Sequence, residues 1–172
     1  MTAHLIFEHT LEPTHLYNAT TLNTRAKLYT AQSRYTEAEL LMQQALASRE
    51  QALGPDHPDI ANSLNNLAML YTMQGKYGEA ESLYQRALMI RERSLGPNHE
   101  GIAAGLLDLA RFFLAQNRYE EAEPLYRRAL AIFEQIWVPD HPDLACLSRE
   151  YADLVRKVDR EGEAVALKDL QC

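Results

Sequence analysis

The segment Leu53-Gly54-Pro55-Asp56-His57-Pro58 returns 42 residues later as Leu95-Gly96-Pro97-Asn98-His99. It returns again, altered, as Trp137-Val138-Pro139-Asp140-His141-Pro142, and an eroded earlier copy reads Leu11-Glu12-Pro13-Thr14-His15. Self-similarity at a fixed period means that each unit packs only on its neighbours, so the core forms a row instead of a ball. Such a stack offers a long surface and no built-in catalytic pocket. Binding is therefore the expected class of function.

Aligned at this period, the best copy reads Leu64-x-x-Leu67-Ala68-x-x-Tyr71, then Ala80-x-x-x-Tyr84-x-x-Ala87-Leu88. Apolar residues three and four apart place one stripe on a helix. Ala26, Ala68, Ala110 and Ala152 share one slot, and Ala38, Ala80, Ala122 and Ala164 share another. Alanine at both lets two helix axes approach closely. Between the two helices of each unit stand Ser33, Gly75, Asn117 and Asp159. All but the serine suit the left-handed turn that ends a helix. Gly54-Pro55 and Gly96-Pro97 are expected to close the second helix, with Asp56 and Asp140 capping the next one and Pro58 and Pro142 in its first turn. Val138 replaces the glycine in the last copy, and a β-branched residue disfavours positive φ, so that junction is expected to differ.

The run Leu64-Asn65-Asn66-Leu67-Ala68, Gln74-Gly75-Lys76-Tyr77, Glu79-Ala80-Glu81, Leu83-Tyr84, Arg86-Ala87-Leu88, closed by Leu-Gly-Pro-x-His, carries the tetratricopeptide pattern, with leucine for its first tryptophan and alanine for its glycine. It resembles the 42-residue repeats of kinesin light chains, over roughly residues 11 to 168. The resemblance implies an all-α, right-handed superhelical solenoid of antiparallel helix pairs. A single array is expected: residues 1–11 as the tail of a preceding helix, repeats at 12–53, 54–95 and 96–137, and a truncated fourth repeat at 138–172. No heptad-patterned coiled coil of the kind that joins a light chain to its motor is present in these residues, so the resemblance does not support transfer of motor-cargo function.

The resemblance also implies that the first helix of each pair faces the concave side. The positions left over on those helices after the core is assigned are then the groove: Asn23, Lys27, Asn62, Asn65, Met69, Thr72, Ala104, Leu107, Arg111, Leu114, Arg149 and Arg156. Asn23 and Asn65 are equivalent and could hold an extended peptide backbone by donor and acceptor. Lys27, Arg111, Arg149 and Arg156 suit carboxylates. Met69, Leu107 and Leu114 suit an apolar anchor, since methionine repacks readily. Ala104, between Gly101 and Gly105, leaves room for a bulky ligand side chain. Acids gather on the second helices instead, including Glu37, Glu39, Glu121 and Glu123.

The net charge of −7 argues against nucleic acid as a partner. No run of about 18 apolar residues exists to span a membrane. Cys146 and Cys172 lack metal-site or disulfide spacing and fit a reducing cytoplasm. His57, His99 and His141 recur at the repeat period beside proline, which reads as junction architecture and not as a metal site. Neither H-E-x-x-H nor a phosphate-loop, nucleophile-elbow or dinucleotide motif occurs. The expectation is a non-catalytic protein-interaction module without cofactor, which holds an acidic peptide segment with an apolar anchor. The alternatives are an assembly element that self-associates through uncapped array ends, and the sensor arm of a larger signalling ATPase.

Overall fold

A computed structural model describes the backbone of residues 2–138 and 141–169, and the side chains of residues 17–138 and 141–159. The described elements are all α-helices. They fall into two compact units, Met1–Leu95 and Gly96–Cys172. The first unit contains α1 (Thr2–Ala31), α2 (Tyr35–Leu53), α3 (Pro58–Met73) and α4 (Tyr77–Ser94). The second contains α5 (Glu100–Ala115), α6 (Tyr119–Ile136) and α7 (Pro142–Asp169). Helices pair as α1–α2, α3–α4 and α5–α6, with α2 also against α3 and α6 against α7.

The alanine slots are where the pairs meet. Ala26, Ala68, Ala110, Ala38, Ala80 and Ala122 are all fully buried, as are Ala45, Ala87 and Ala129. A larger side chain at any of them would overpack the crossing at a cost of about 1–3 kcal/mol. Around them close Met42, Leu67, Leu70, Tyr29 and Tyr71 between α1, α2 and α3.

The turn within each pair is built three times to one plan. Ser33, Gly75 and Asn117 all adopt positive φ, at 61°, 75° and 60°. The next amide reaches back five residues: Arg34 N–H to the Tyr29 carbonyl at 2.9 Å, Lys76 to Tyr71 at 2.9 Å, and Arg118 to Phe113 at 3.0 Å. Each left-handed residue donates in turn to the carbonyl three residues before it, at 2.9, 3.1 and 3.1 Å. These are Schellman turns. The contact that usually closes such a turn is hydrophobic; here a cation lies over an aromatic ring. Arg34 stands 4.2 Å from the Tyr29 centroid, Lys76 4.8 Å from Tyr71 and Arg118 4.2 Å from Phe113, each contributing on the order of 0.5–1 kcal/mol.

The fourth repeat departs from expectation. Asp159 lies inside α7, which continues unbroken to Asp169. At the aromatic slot stands Val155, and Glu161 replaces the tyrosine that starts the second helix elsewhere. The stack that closes the turn has no ring, and aspartate continues as helix. Ala152 is accordingly exposed, unlike its buried equivalents. The boundary expected at residues 11 and 12 is also absent: α1 runs unbroken from Thr2 to Ala31, through Leu11-Glu12-Pro13. The side chains of Ala3, His15 and Ala164 lie outside the described residues, as do Asp140 and Cys172.

Junctions between pairs also correct the sequence reading. The histidine, not the preceding aspartate, caps the next helix. His57 Nδ1 accepts from Asp59 N–H at 3.2 Å, His99 Nδ1 from Gly101 N–H at 2.9 Å and His141 Nδ1 from Asp143 N–H at 3.3 Å. Asp56 instead faces Arg93 at 3.6 Å. Gly54 caps α2 with a φ of 82°, but α4 ends on Leu95 and α6 on Trp137, both extended. Val138 is therefore tolerated because its junction matches that of Gly96, where no positive φ is needed; Gly54 is the exception.

Ser33 is the one turn residue with neither glycine's freedom nor an amide side chain. Ser33→Gly should raise stability by about 1 kcal/mol, the scale of the left-handed penalty, in urea unfolding. An unchanged midpoint would mean that the turn carries no such strain.

Candidate functional site

Among the described residues, each unit carries a cavity along the first helices of its pairs. The first, about 250 Å³, is bounded by Lys27, Thr30 and Ala31 of α1, Met42 of α2, and Asn66, Met69, Leu70 and Met73 of α3. Its wall is apolar. Met69 and Met73 are about half exposed, while Met42 and Leu70 lie buried behind them. Lys27 and Asn66 have no ion-pair or hydrogen-bond partner among the described residues.

The second cavity, about 350 Å³, is bounded by Arg111 and Leu114 of α5, Tyr126 of α6, and Glu150, Asp153, Leu154 and Lys157 of α7. Its polar groups bond to one another. Arg111 Nη2 donates to Glu150 Oε2 at 3.1 Å, and the buried Tyr126 hydroxyl donates to the same oxygen at 3.1 Å. Burial opposes the Arg111 charge, but hydrogen bonds to Glu150 and Tyr126 and the Glu150 charge outweigh it and hold the guanidinium above its ordinary value. Burial also pushes the Tyr126 phenol up.

The structure sorts the twelve expected groove residues unevenly. Lys27 and Met69 line the first cavity; Arg111 and Leu114 line the second. Asn23 is only 7% exposed, and neither its Nδ2 nor its Oδ1 has a partner among the described residues. Leu107, at the equivalent slot, is likewise 7% exposed and belongs to the core. The slot borders the apolar stripe: Asn23 and Leu107 turn inward there, while Arg149 at the same slot is exposed. The Oδ1 of Asn62 accepts from Arg91 of α4 at 3.1 Å. Asn65 is half-buried and has a partner. Thr72 bonds back to the Ala68 carbonyl at 2.9 Å. Ala104 and Arg149 stand exposed on α5 and α7, and Arg156 pairs with Asp153 at 3.2 Å. Arg111 and Arg156, expected to read a partner's carboxylates, thus read the chain's own.

The acids of the second helices are not a uniformly solvated face either. Glu39 of α2 accepts from Lys76 Nζ at 2.8 Å, Gln74 Nε2 at 3.1 Å and the Tyr71 hydroxyl at 3.1 Å. Burial works against its charge, yet these bonds and the Lys76 charge hold the carboxyl below the usual range. The spacing of Glu39 from the α3–α4 turn hid this role from the sequence. At the start of α4, Tyr77 is about half exposed, and at the start of α6 the Tyr119 hydroxyl donates to Asn117 Oδ1 at 2.6 Å.

No group of three or more metal-ligating side chains occurs among the described residues, and none of their helices is long and apolar enough to cross a membrane. The geometry is that of helix pairs presenting cavities along their first helices. The tetratricopeptide repeat model matches residues 1–51, 17–93 and 59–135. The chain belongs to the tetratricopeptide repeat family, with its all-α repeat-solenoid fold. Within it the chain is of the kinesin-light-chain type: it is 26% identical to a putative kinesin light chain of Podospora anserina with nearly identical TPR-like repeats, covering 88% of this chain and 72% of that one at a TM-score of 0.72. The BtubC (BKLC) protein of P. vanneervenii shares the fold at 21% identity, 88% and 64% coverage and a TM-score of 0.64. So does the first TPR of Spaghetti (RPAP3), bound to the HSP90 peptide SRMEEVD, at 19% identity, 84% and 95% coverage and a TM-score of 0.56. No curated protein matches the chain.

A buried amide without partners costs about 1–3 kcal/mol. Asn23→Leu, which copies the buried Leu107, should stabilise the protein by about 1 kcal/mol in thermal or urea unfolding. A destabilised variant would show that Asn23 satisfies a bond in the folded chain.

Proposed function

We propose that this chain is a non-catalytic interaction module that holds a peptide segment by an apolar side chain flanked by a carboxylate. The observation that carries this reading is the first cavity, where a methionine wall meets an unpaired cation, Lys27, and an unpaired amide, Asn66, among the described residues. Burying a leucine- or phenylalanine-sized side chain there stabilises a complex by about 1.5–3 kcal/mol. A lysine at the rim favours an acid next to that anchor, and Asn66 can bond the ligand backbone. The acid-rich SRMEEVD peptide seen on a related fold supports the same class of ligand. Acid preference is narrower than the cation count of the sequence implies, because Arg111 and Arg156 are already paired.

A display selection of random peptides should enrich segments with an aliphatic or aromatic residue beside Asp or Glu. Lys27→Glu should weaken the enriched peptides at least about fivefold and flatten their salt dependence, and Met69→Lys should abolish binding. Enrichment indifferent to both changes would overturn the reading.

One observation favours self-association as a second reading. Leu28 of α1 is 60% exposed, whereas Leu70, Phe112 and Leu154 at its slot are 0%, 4% and 1% exposed. Sedimentation should then show a concentration-dependent oligomer that Leu28→Glu disperses; a monomer throughout would retire this reading.

A further inference from the structure

The two cavities are one architectural slot, occurring twice at a separation of two repeats. Lys27 and Arg111 are equivalent, as are Asn66 and Glu150, and Met42 and Tyr126. In the first copy the residue opposite the cation is a neutral amide, the floor is Met42, and the cation is unpaired among the described residues. In the second copy the residue opposite the cation is a carboxylate. Tyr126, in place of the methionine, supplies the hydroxyl that holds that carboxylate against Arg111. Met69 and Met73 are replaced by Asp153 and Lys157.

From this equivalence we infer that the position of Asn66 and Glu150 is a selectivity gate: Glu150 is a built-in competitor that closes the second slot to acidic ligands, and Asn66 leaves the first slot open to them. The inference rests on the proposed peptide-binding role and adds to it which residue decides where an acid can dock. The physics is local. A ligand carboxylate reaching Arg111 must displace a partner already in hydrogen-bond contact, and must then sit beside the displaced negative charge, which costs again by Coulomb repulsion. Arg111 is about half exposed, so the barrier is one of occupancy and not of access. At Lys27 neither cost arises.

The gate is tested by exchanging the two residues. Glu150→Gln keeps an acceptor for Tyr126 and removes the competing charge; Asn66→Glu installs that charge opposite Lys27. Two probes are used, sodium acetate as a bare carboxylate and the peptide acetyl-Glu-Leu-Glu-amide. Binding at the second slot is read from the NMR resonance of Arg111 Nε–H, and at the first from the methyls of Met69 and Met73. Acetate should shift Arg111 in Glu150→Gln and leave it unmoved in the parent protein. The peptide should shift the methionine methyls in the parent, with affinity falling about fivefold in Asn66→Glu, the scale of one half-exposed ion pair. An Arg111 signal that ignores acetate in a folded Glu150→Gln protein overturns the gate, whatever the peptide does. Methionine methyls that ignore the peptide, with Arg111 responding to acetate only in Glu150→Gln, overturn the peptide-binding role and the open first slot, and leave Glu150 standing as the competitor at the second.

Discussion

Everything in this structure depends on reversing a helix within three residues, and the reversal depends on a cation resting on an aromatic ring. A left-handed residue alone turns the chain, but the turn is closed by Arg34 on Tyr29, Lys76 on Tyr71 and Arg118 on Phe113. The ring belongs to the last turn of one helix and the cation to the residue that precedes the next, so a single contact fixes both the stop and the exit direction. Where the ring is missing, at Val155, the helix runs on through Asp159. The second helix of each pair, the buried alanine crossings and the cavities along the first helices all follow from that reversal.

Once the frame repeats, function becomes a matter of what each copy places in the same slot. The Lys27 and Arg111 cavities share their position in the repeat but differ in chemistry: one is apolar with open polar groups at its rim, the other is polar and internally paired. Glu39 shows the same principle on the other helices. It ties α2 to the turn that starts α4 through Lys76 and Gln74, so a residue of an outwardly acidic helix serves as a joint between pairs.

The core was legible because alanine recurs at one slot with a period longer than any single helix, and close crossing admits almost nothing else there. The turn residues were legible by type, with Ser33 misjudged and Asp159 over-read, because the aromatic ring four or five residues earlier decides whether a left-handed residue is used. The candidate site was legible only in part. Lys27 and Met69 follow from helix phase. Asn23 and Leu107 do not, since their slot borders the stripe and its burial is set by the neighbouring helix. The pairing of Arg111 was hidden from the sequence, because its partner Glu150 stands 39 residues away and meets it only when α5 and α7 both pack on α6. The histidine caps were visible as a period but not as a chemistry, since aspartate is the commoner cap.

The most direct measurement of the ring's role is a map of backbone ¹³Cα chemical shifts along residues 150–169 in the parent protein and in a double variant carrying Val155→Phe and Asp159→Gly, which supplies the missing ring and the left-handed residue ahead of Arg160. One unbroken helix is expected in the parent, and in the variant a break centred on residue 159 with a second helix beyond it. A variant that stays helical through residue 159, or a parent already broken there, would contradict the dependence of the turn on its ring.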